Sequence, residues 1–329
     1  MPAPFTHPDD AAPYVVEDCG PDLQVLSDDT VVRPPPPPIP PNDDDLVEWK
    51  DAVYDAGRGL GLRMYRPCRS IAAAVKEEDE EKKPLLPILV YFHGGGFCVG
   101  SYAWPKTHAV CLRLAADLPA VVLSFDYRLG PEHRVPAAHD DAAAALLWLL
   151  DQLQSSSDPW LHVSAVDAHK VFVSGTSAGG GLAHHMAVRF GTAAGLSPAI
   201  AIEGYILLMP GFFSGQPTRS ELETPETAWL TRDMFDRFFR LGMPAGATRV
   251  RPEQPEPRAR AMGRMLVVVA GRDLFRDANV EYAERLKAMG KDVELVVFPG
   301  EEHGFFGASD ASDGEVVRLI KRFVERDHP

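Results

Sequence analysis

Six short apolar runs, rich in β-branched residues, recur between residues 88 and 298: ILVYF (88–92), AVVLSF (120–125), VFVSG (171–175), GYILLM (204–209), MLVVVAG (265–271) and VELVVF (293–298). Stretches of helical periodicity lie between or after them, at 106–117, 137–154, 180–189, 278–289 and 314–325. A strand that reads apolar at every position is buried on both faces, and parallel neighbours need a crossover, usually a helix. The rhythm therefore predicts an α/β fold: a mainly parallel sheet flanked by helices on both sides. One interval breaks it. Residues 210–262 carry a helical TRDMFDRFFRLG and a Pro/Arg-rich RVRPEQPEPRAR. An insertion of that length after a late strand is expected to form a cap over a site rather than a structureless loop.

Upstream, VEWKDAVYD and LGLRMYRP read as two further strands, and LQVLSDDTVVR as a hairpin turning at Asp28 and Asp29. The polyproline stretch RPPPPPIPPNDDD is a stiff connector that cannot enter a sheet interior. Residues 1–20 are Pro- and Asp-rich and are read as mobile, with Tyr14-Val15-Val16 as a piece that could dock, and 1–45 together as a flexible lid or cap segment ahead of a core at 46–329. The run KEEDEEKK (76–83) reads as a solvated loop. A formal charge of −14 disfavours nucleic acid and anionic membrane surfaces as partners. The four cysteines Cys19, Cys68, Cys98 and Cys111 show no metal-like spacing and are expected as reduced thiols. With neither a signal-peptide pattern nor an apolar run long enough to span a bilayer, the expected location is cytoplasmic or also nuclear.

The chemistry gathers at strand ends. Ser177 is the centre of Gly175-Thr176-Ser177-Ala178-Gly179, with a strand before it and a helix after it. That is the setting of a nucleophile elbow, a strand-to-helix turn that exposes the serine hydroxyl. His93-Gly94-Gly95-Gly96 follows another strand. The N–H groups of Gly95 and Gly96, with that of Ala178, are expected to form an oxyanion hole. A phosphate loop would end in Gly-Lys-Ser/Thr or open a helix with G-x-G-x-x-G, and Phe97-Cys98-Val99 supplies neither. A serine nucleophile needs a base, and the base needs an orienting acid. His303 follows the strand VELVVF, and Asp273 follows MLVVVAG, in the order Ser, Asp, His that suits this scaffold. Asp277 is the competing acid; its position suggests instead a cap for the helix starting near residue 278. Phe97, Trp104, Phe212, Phe213 and Phe305 are candidate lining for a substrate pocket.

Taken together, HGGGF, DYRLGPEHRVPAAHDDA, GTSAGGGLAH and HGF resemble the sequence blocks of plant carboxylesterases of the hormone-sensitive-lipase group. The likeness runs from about Val15 to the C-terminus. GSYAWPKTH, WKDAVYDAGRGLGLRMYRP and RLGMPAGATR are similar to the branch implicated in strigolactone breakdown. This resemblance implies an α/β-hydrolase sheet, a cap from the N-terminal segment and residues 210–262, and triad roles for Ser177, Asp273 and His303. It implies no cofactor or metal, a small ester or lactone as substrate, and a monomer or weak homodimer. Asp126, Arg128 and Glu132 fall in a matching block and are expected to pair among themselves. Two relatives of different function share the scaffold. Gibberellin receptors lack the histidine and carry serine at the third glycine, whereas this chain has Gly96 and His303; a dehydratase would have threonine in place of Ser177.

Overall fold

A computed structural model describes residues 12–39, 46–68, 85–191, 202–249, 263–308 and 310–326. The charged run 76–83, the Pro/Arg-rich stretch from 250 to 260, residues 1–11 and the end of the proline connector lie outside the described residues. The chain divides into two units, Met1–Pro35 and Pro36–Pro329.

In the first unit, strands β1 (Val15–Asp18), β2 (Gln24–Leu26) and β3 (Val31–Val32) form an antiparallel sheet in that order. The hairpin between β2 and β3 turns where its sequence predicts. Asp29 has φ +65°, Asp28 Oδ1 accepts the Thr30 N–H at 3.1 Å, and Leu26 and Thr30 close the turn. Strand β1 shows where Val15 and Val16 dock, so residues 15–18 are not mobile. Val15 pairs with Leu26 and Glu17 with Val25, so the backbone of this stretch finds its hydrogen bonds in a neighbouring strand.

The second unit is built on eight strands: β4 (Val47–Asp55), β5 (Leu60–Pro67), β6 (Leu86–Phe92), β7 (Val121–Phe125), β8 (Val166–Thr176), β9 (Ile202–Leu208), β10 (Arg264–Ala270) and β11 (Val293–Phe298). Their order across the sheet is β11-β10-β9-β8-β6-β7-β5-β4. The run from β11 to β7 is parallel, and β5 and β4 add antiparallel strands at one edge. Helices α1 (Pro105–Asp117), α2 (Ala137–Ser155), α3 (Ala178–Phe190), α4 (Arg219–Glu223), α5 (Arg232–Gly242), α6 (Arg276–Ala288) and α7 (Asp310–Glu325) complete the unit.

Alternation along each strand sends successive side chains to opposite faces, and the core accordingly divides into two layers. Val90, Phe92, Val173, Leu207 and Val267 pack with Leu146 of α2, Leu182 of α3 and Tyr282 of α6. Leu89, Tyr91, Phe172, Ile206 and Leu266 face the other way, onto Leu114 of α1 and Ile320 of α7. Both faces are covered, which is why these strands are apolar at nearly every position. Strand β6 is flanked by β7 on one side and β8 on the other, so the chain reverses its direction of travel across the sheet there. The crevice outside the carboxyl ends of such a pair is where open α/β sheets bind ligands. The loop after β6 and the turn after β8 meet at that point.

The block containing Asp126 and Arg128 is wired differently from its expectation. Arg128 closes a bidentate pair on the fully buried Asp141 of α2, with Nε to Oδ2 at 2.8 Å and Nη2 to Oδ1 at 2.8 Å. Its backbone N–H donates to the same carboxylate at 2.9 Å. A buried carboxylate without such partners would be strongly destabilising, and Asp141 takes them from Arg128 rather than leaving the arginine for Asp126.

Candidate active site

Ser177 sits at φ +55° and ψ −116°, a left-handed conformation that a non-glycine residue adopts only under constraint. The constraint is visible on both sides of it. Its N–H donates to Leu208 O at 2.9 Å, and its carbonyl accepts from Gly181 and Gly211, each at 3.0 Å. The flanking glycines permit the turn through close approach. A Cβ on Gly175 would lie 2.2 Å from Gly179 O, and one on Gly179 would lie 2.0 Å from Phe92 O. Neither position admits any other residue without moving backbone, which explains the spacing of glycines around the serine.

His303 and Asp273 arrive from the loops after β11 and β10. The Asp273 carboxylate accepts from His303 Nδ1 at 2.7 Å through one oxygen and from the Phe275 N–H at 3.0 Å through the other. With the proton on Nδ1, the Nε2 lone pair accepts the Ser177 hydroxyl at 2.8 Å. Aspartate and histidine are only 2% and 5% exposed, so little solvent competes for the contact. The two loops are tied together: Arg272 N–H donates to Glu301 O at 2.9 Å, and its guanidinium pairs with Glu302 at 2.9 Å.

The glycine loop is held from behind. The His93 ring stacks on Tyr127 with centroids 4.3 Å apart, and the tyrosine hydroxyl donates to His93 O at 2.8 Å. His93 Nδ1 donates to Gly94 O at 2.7 Å, while Asp126 accepts from the Tyr102 N–H at 2.8 Å and from the Ser101 hydroxyl at 3.2 Å. Burial pushes the His93 imidazole below the usual histidine range and lifts the Asp126 carboxyl. Asp126 thus serves the loop that carries the glycines. That loop runs beside the elbow: a Cβ on Gly94 would stand 3.3 Å from Ser177 Cβ. Gly95 and Gly96 take φ +120° and +61°, and Ala178 is the first residue of α3, where helical N–H groups have no partner within the helix.

Several aromatic assignments change. Phe212 is buried in the core, 4.6 Å between centroids from Tyr282 and edge-on to His184. Phe305 is buried against Phe298 in the opposite core layer. Phe213 belongs to a cluster within the insertion with Phe235 and Phe239. Phe97 is wedged among Tyr127, His139 and the start of α3, and Trp104 is the residue at which α1 begins. The rings that meet the Ser–His–Asp group are others. Phe275 stands edge-on to His303 at 5.3 Å, Trp229 stacks on His303 at 6.0 Å and 24°, and Phe238 of α5 lies over Gly96. The motif FDRFF held a partial signal. Phe235, Phe238 and Phe239 fall at i, i+3 and i+4 and pack in one cluster, and Phe238 is the member that also reaches Gly96. Trp229 gave no periodic signal at all.

Asp277 is not the cap of its helix. Helix α6 starts at Arg276 with Phe275 at the N-cap position, and Asp277 lies inside the first turn. Its Oδ2 accepts the Ser220 N–H of α4 at 2.8 Å and its Oδ1 pairs with Arg276 at 2.8 Å. It clamps the insertion to the core and stands apart from His303's hydrogen bonds.

A serine on a strand–helix elbow, in contact with a histidine held by a buried aspartate, at the switch point of a mainly parallel sheet, defines a serine-type hydrolase. A family model described as alpha/beta hydrolase fold matches residues 89–307. The chain is 35% identical to probable carboxylesterase 6 of Arabidopsis thaliana over 79% of this chain and 74% of that protein. It is 33% identical to a gibberellin receptor of the same plant, over 78% of this chain and 74% of the receptor. Among solved structures, an esterase of Pyrobaculum calidifontis superposes with a TM-score of 0.64 at 32% identity, covering 84% of both chains. The chain belongs to the alpha/beta-hydrolase family, within its plant-carboxylesterase group, and is a carboxylic ester hydrolase. No helix among the described residues is long and apolar enough to cross a membrane.

Proposed function

We propose that this carboxylesterase hydrolyses small, largely apolar esters or lactones through an acyl-enzyme on Ser177. The observation that carries the proposal is the unbroken hydrogen-bonded chain from Ser177 Oγ through His303 to Asp273. His303 Nε2 takes the serine proton as Oγ attacks the acyl carbon, and Asp273 holds the tautomer and stabilises the imidazolium. The carbonyl oxygen gathers its negative charge against the N–H groups of Gly95, Gly96 and Ala178; one such donor is typically worth about 10²–10³ in rate. His303 then gives its proton to the leaving oxygen. In the second half it activates water, which attacks the acyl carbon and frees Ser177. The insertion after β9 serves as a cap, since Phe238 and Trp229 bring apolar rings to the glycine loop and the histidine.

The finer candidate within this class is a strigolactone, whose enol-ether-linked butenolide offers the electrophilic carbonyl. It rests on the sequence blocks shared with the strigolactone-hydrolysing branch. A receptor reading is favoured by the similarity to a gibberellin receptor and opposed by His303 in hydrogen-bond contact with Ser177. Steady-state kinetics on p-nitrophenyl acetate and on a strigolactone analogue test both. The esterase reading predicts that Ser177→Ala and His303→Ala each lose nearly all turnover, to a similar extent, because the group acts as a unit. Equal slow turnover in wild type and Ser177→Ala, with tight binding intact, would favour the receptor. Turnover of the ester but not of the analogue would remove the strigolactone assignment alone.

A further inference from the structure

Trp229 is an exposed ring held in place. It is 69% exposed, yet it stacks on His303, and its backbone N–H donates to Glu302 Oε2 at 3.3 Å. A Cβ on Gly304 would lie 3.2 Å from the indole, so the ring also rests on the backbone next to the histidine. Lys106 reaches the same place from α1: its Nζ donates to Gly304 O at 2.7 Å and stands 5.8 Å from the centre of the Trp229 ring. A flexible surface tryptophan would not gather contacts from both α1 and the His303 loop.

Its position relative to the chemistry matters more than its exposure. In ester hydrolysis by a serine–histidine pair, the proton leaves His303 Nε2 for the oxygen of the departing alcohol. The departing group must therefore pass beside the imidazole, where two rings meet it: Phe275 edge-on at 5.3 Å and Trp229 stacked at 6.0 Å. Phe275, the other ring on His303, is 3% exposed and its packing is satisfied by Phe235 at 5.1 Å. Trp229 has indole surface left to offer. Phe238, by contrast, covers Gly96, on the glycine-loop side of the serine.

We propose that Trp229 is a specificity-determining residue that stacks on the leaving group, and that the preferred substrates are aryl or enol esters, whose leaving alcohol is planar. This rests on the acyl-enzyme reading above. The step is balanced without any further reactant: the Ser177 Oγ–acyl bond forms, the bond from acyl carbon to aryl or enol oxygen breaks, and the proton taken from Ser177 by His303 goes to that oxygen. Water then releases the acid.

The test compares two acetates that form the same acetyl-enzyme. One is 1-naphthyl acetate, with a planar leaving group; the other is 2,2,2-trifluoroethyl acetate, activated but without a ring. The readout is the ratio of their kcat/KM values, which covers steps through acylation only. Trp229→Ala is expected to lower the naphthyl-to-trifluoroethyl ratio roughly tenfold, the scale of one lost aromatic contact. Trp229→Phe, which keeps a flat ring, is expected to hold the ratio within about twofold of wild type. A ratio unchanged in Trp229→Ala, including the case where both substrates fall together as a structural role would have it, overturns the proposal. The Ser177→Ala protein separates the two levels. An unchanged ratio with Ser177-dependent turnover overturns this inference alone, whereas turnover independent of Ser177 removes the acyl-enzyme reading beneath it.

Discussion

Gly96 packs directly against Phe238 of the insertion, and Gly96→Ala is expected to injure both stability and rate. Its φ is +61°, so an alanine there carries a left-handed penalty of about 1–2 kcal/mol. The new methyl would lie 2.6 Å from Phe238 Cγ, 2.8 Å from Phe238 Cβ and 2.9 Å from Cδ2. Rotating the phenyl ring clears the outer atoms but not Cβ, so helix α5 or the glycine loop has to move. Overpacking of this kind costs roughly 1–3 kcal/mol. The sum, about 2–5 kcal/mol, corresponds to a fall in melting temperature of order 3–8 °C for a domain of this size. Any movement of the loop also displaces the donors proposed to meet the oxyanion, and a loss of about 10²-fold in kcat follows. Two further variants divide the causes. Gly290, at φ +73°, has nothing within 4 Å of its notional Cβ. Gly290→Ala should therefore show backbone strain of about 1 kcal/mol with kcat unchanged. Adding Phe238→Ala to Gly96→Ala removes two of the three contacts and should recover part of the lost rate. Thermal unfolding together with p-nitrophenyl acetate kinetics reads all three. A Gly96→Ala protein with kcat/KM within about threefold of wild type would refute the steric reasoning.

The two aspartates of the loop after β10 should part company under mutation. Asp273→Asn is expected to lower kcat by about 10⁴ through the wrong histidine tautomer, while Asp277→Ala, losing its contacts to Ser220 and Arg276, should cost about 1–2 kcal/mol in urea unfolding with kcat nearly intact. Acid should destabilise the fold through histidines that packing holds neutral, buried His108 and half-buried His139. Burial, with the Arg63 charge, pushes His108 down to about 4, and burial with the neighbouring His185 and His184 pushes His139 down to about 3. Both groups are neutral in the fold while the unfolded chain protonates near 6.5, so their effect is absent above that pH. Stability then falls as pH drops from about 6.5 towards those values, by up to about 1.4 kcal/mol per pH unit for each histidine. Urea unfolding of His139→Phe between pH 6.5 and 4.5 should show a shallower slope than wild type; equal slopes would count against the assignment.

Much of this architecture was legible because the physics that forms it is local. Strands buried on both faces have to be apolar throughout, so β6 to β10 stand out in the sequence, as does the apolar run of β11, and with them the loops that deliver Ser177, Asp273 and His303. Gly175 is likewise dictated by contact within its own turn, and Gly179 by the backbone of the neighbouring strand β6. The aromatic lining was not legible, because it depends on which face of an element a ring takes and on the path of the insertion. Phe212 and Phe305 sit close in sequence to the site and point into opposite core layers. Trp229 is far in sequence from His303 and reaches it only through the course of the chain between α4 and α5. Asp277 failed as a helix cap for a related reason: its partner, Ser220, comes from an insertion whose docking no spacing rule encodes. Arg128 found Asp141 rather than Asp126 because a fully buried carboxylate on α2 makes the stronger demand for a guanidinium.

Direct capture of the covalent intermediate tests the central claim. Wild-type protein quenched in acid during turnover of p-nitrophenyl acetate, digested and analysed by mass spectrometry, should carry a single acetyl group on the peptide containing Ser177. The His303→Ala and Ser177→Ala proteins treated in the same way should carry none. Acetylation at another residue, or turnover with no adduct when release of nitrophenol shows a burst, would contradict an acyl-enzyme on Ser177.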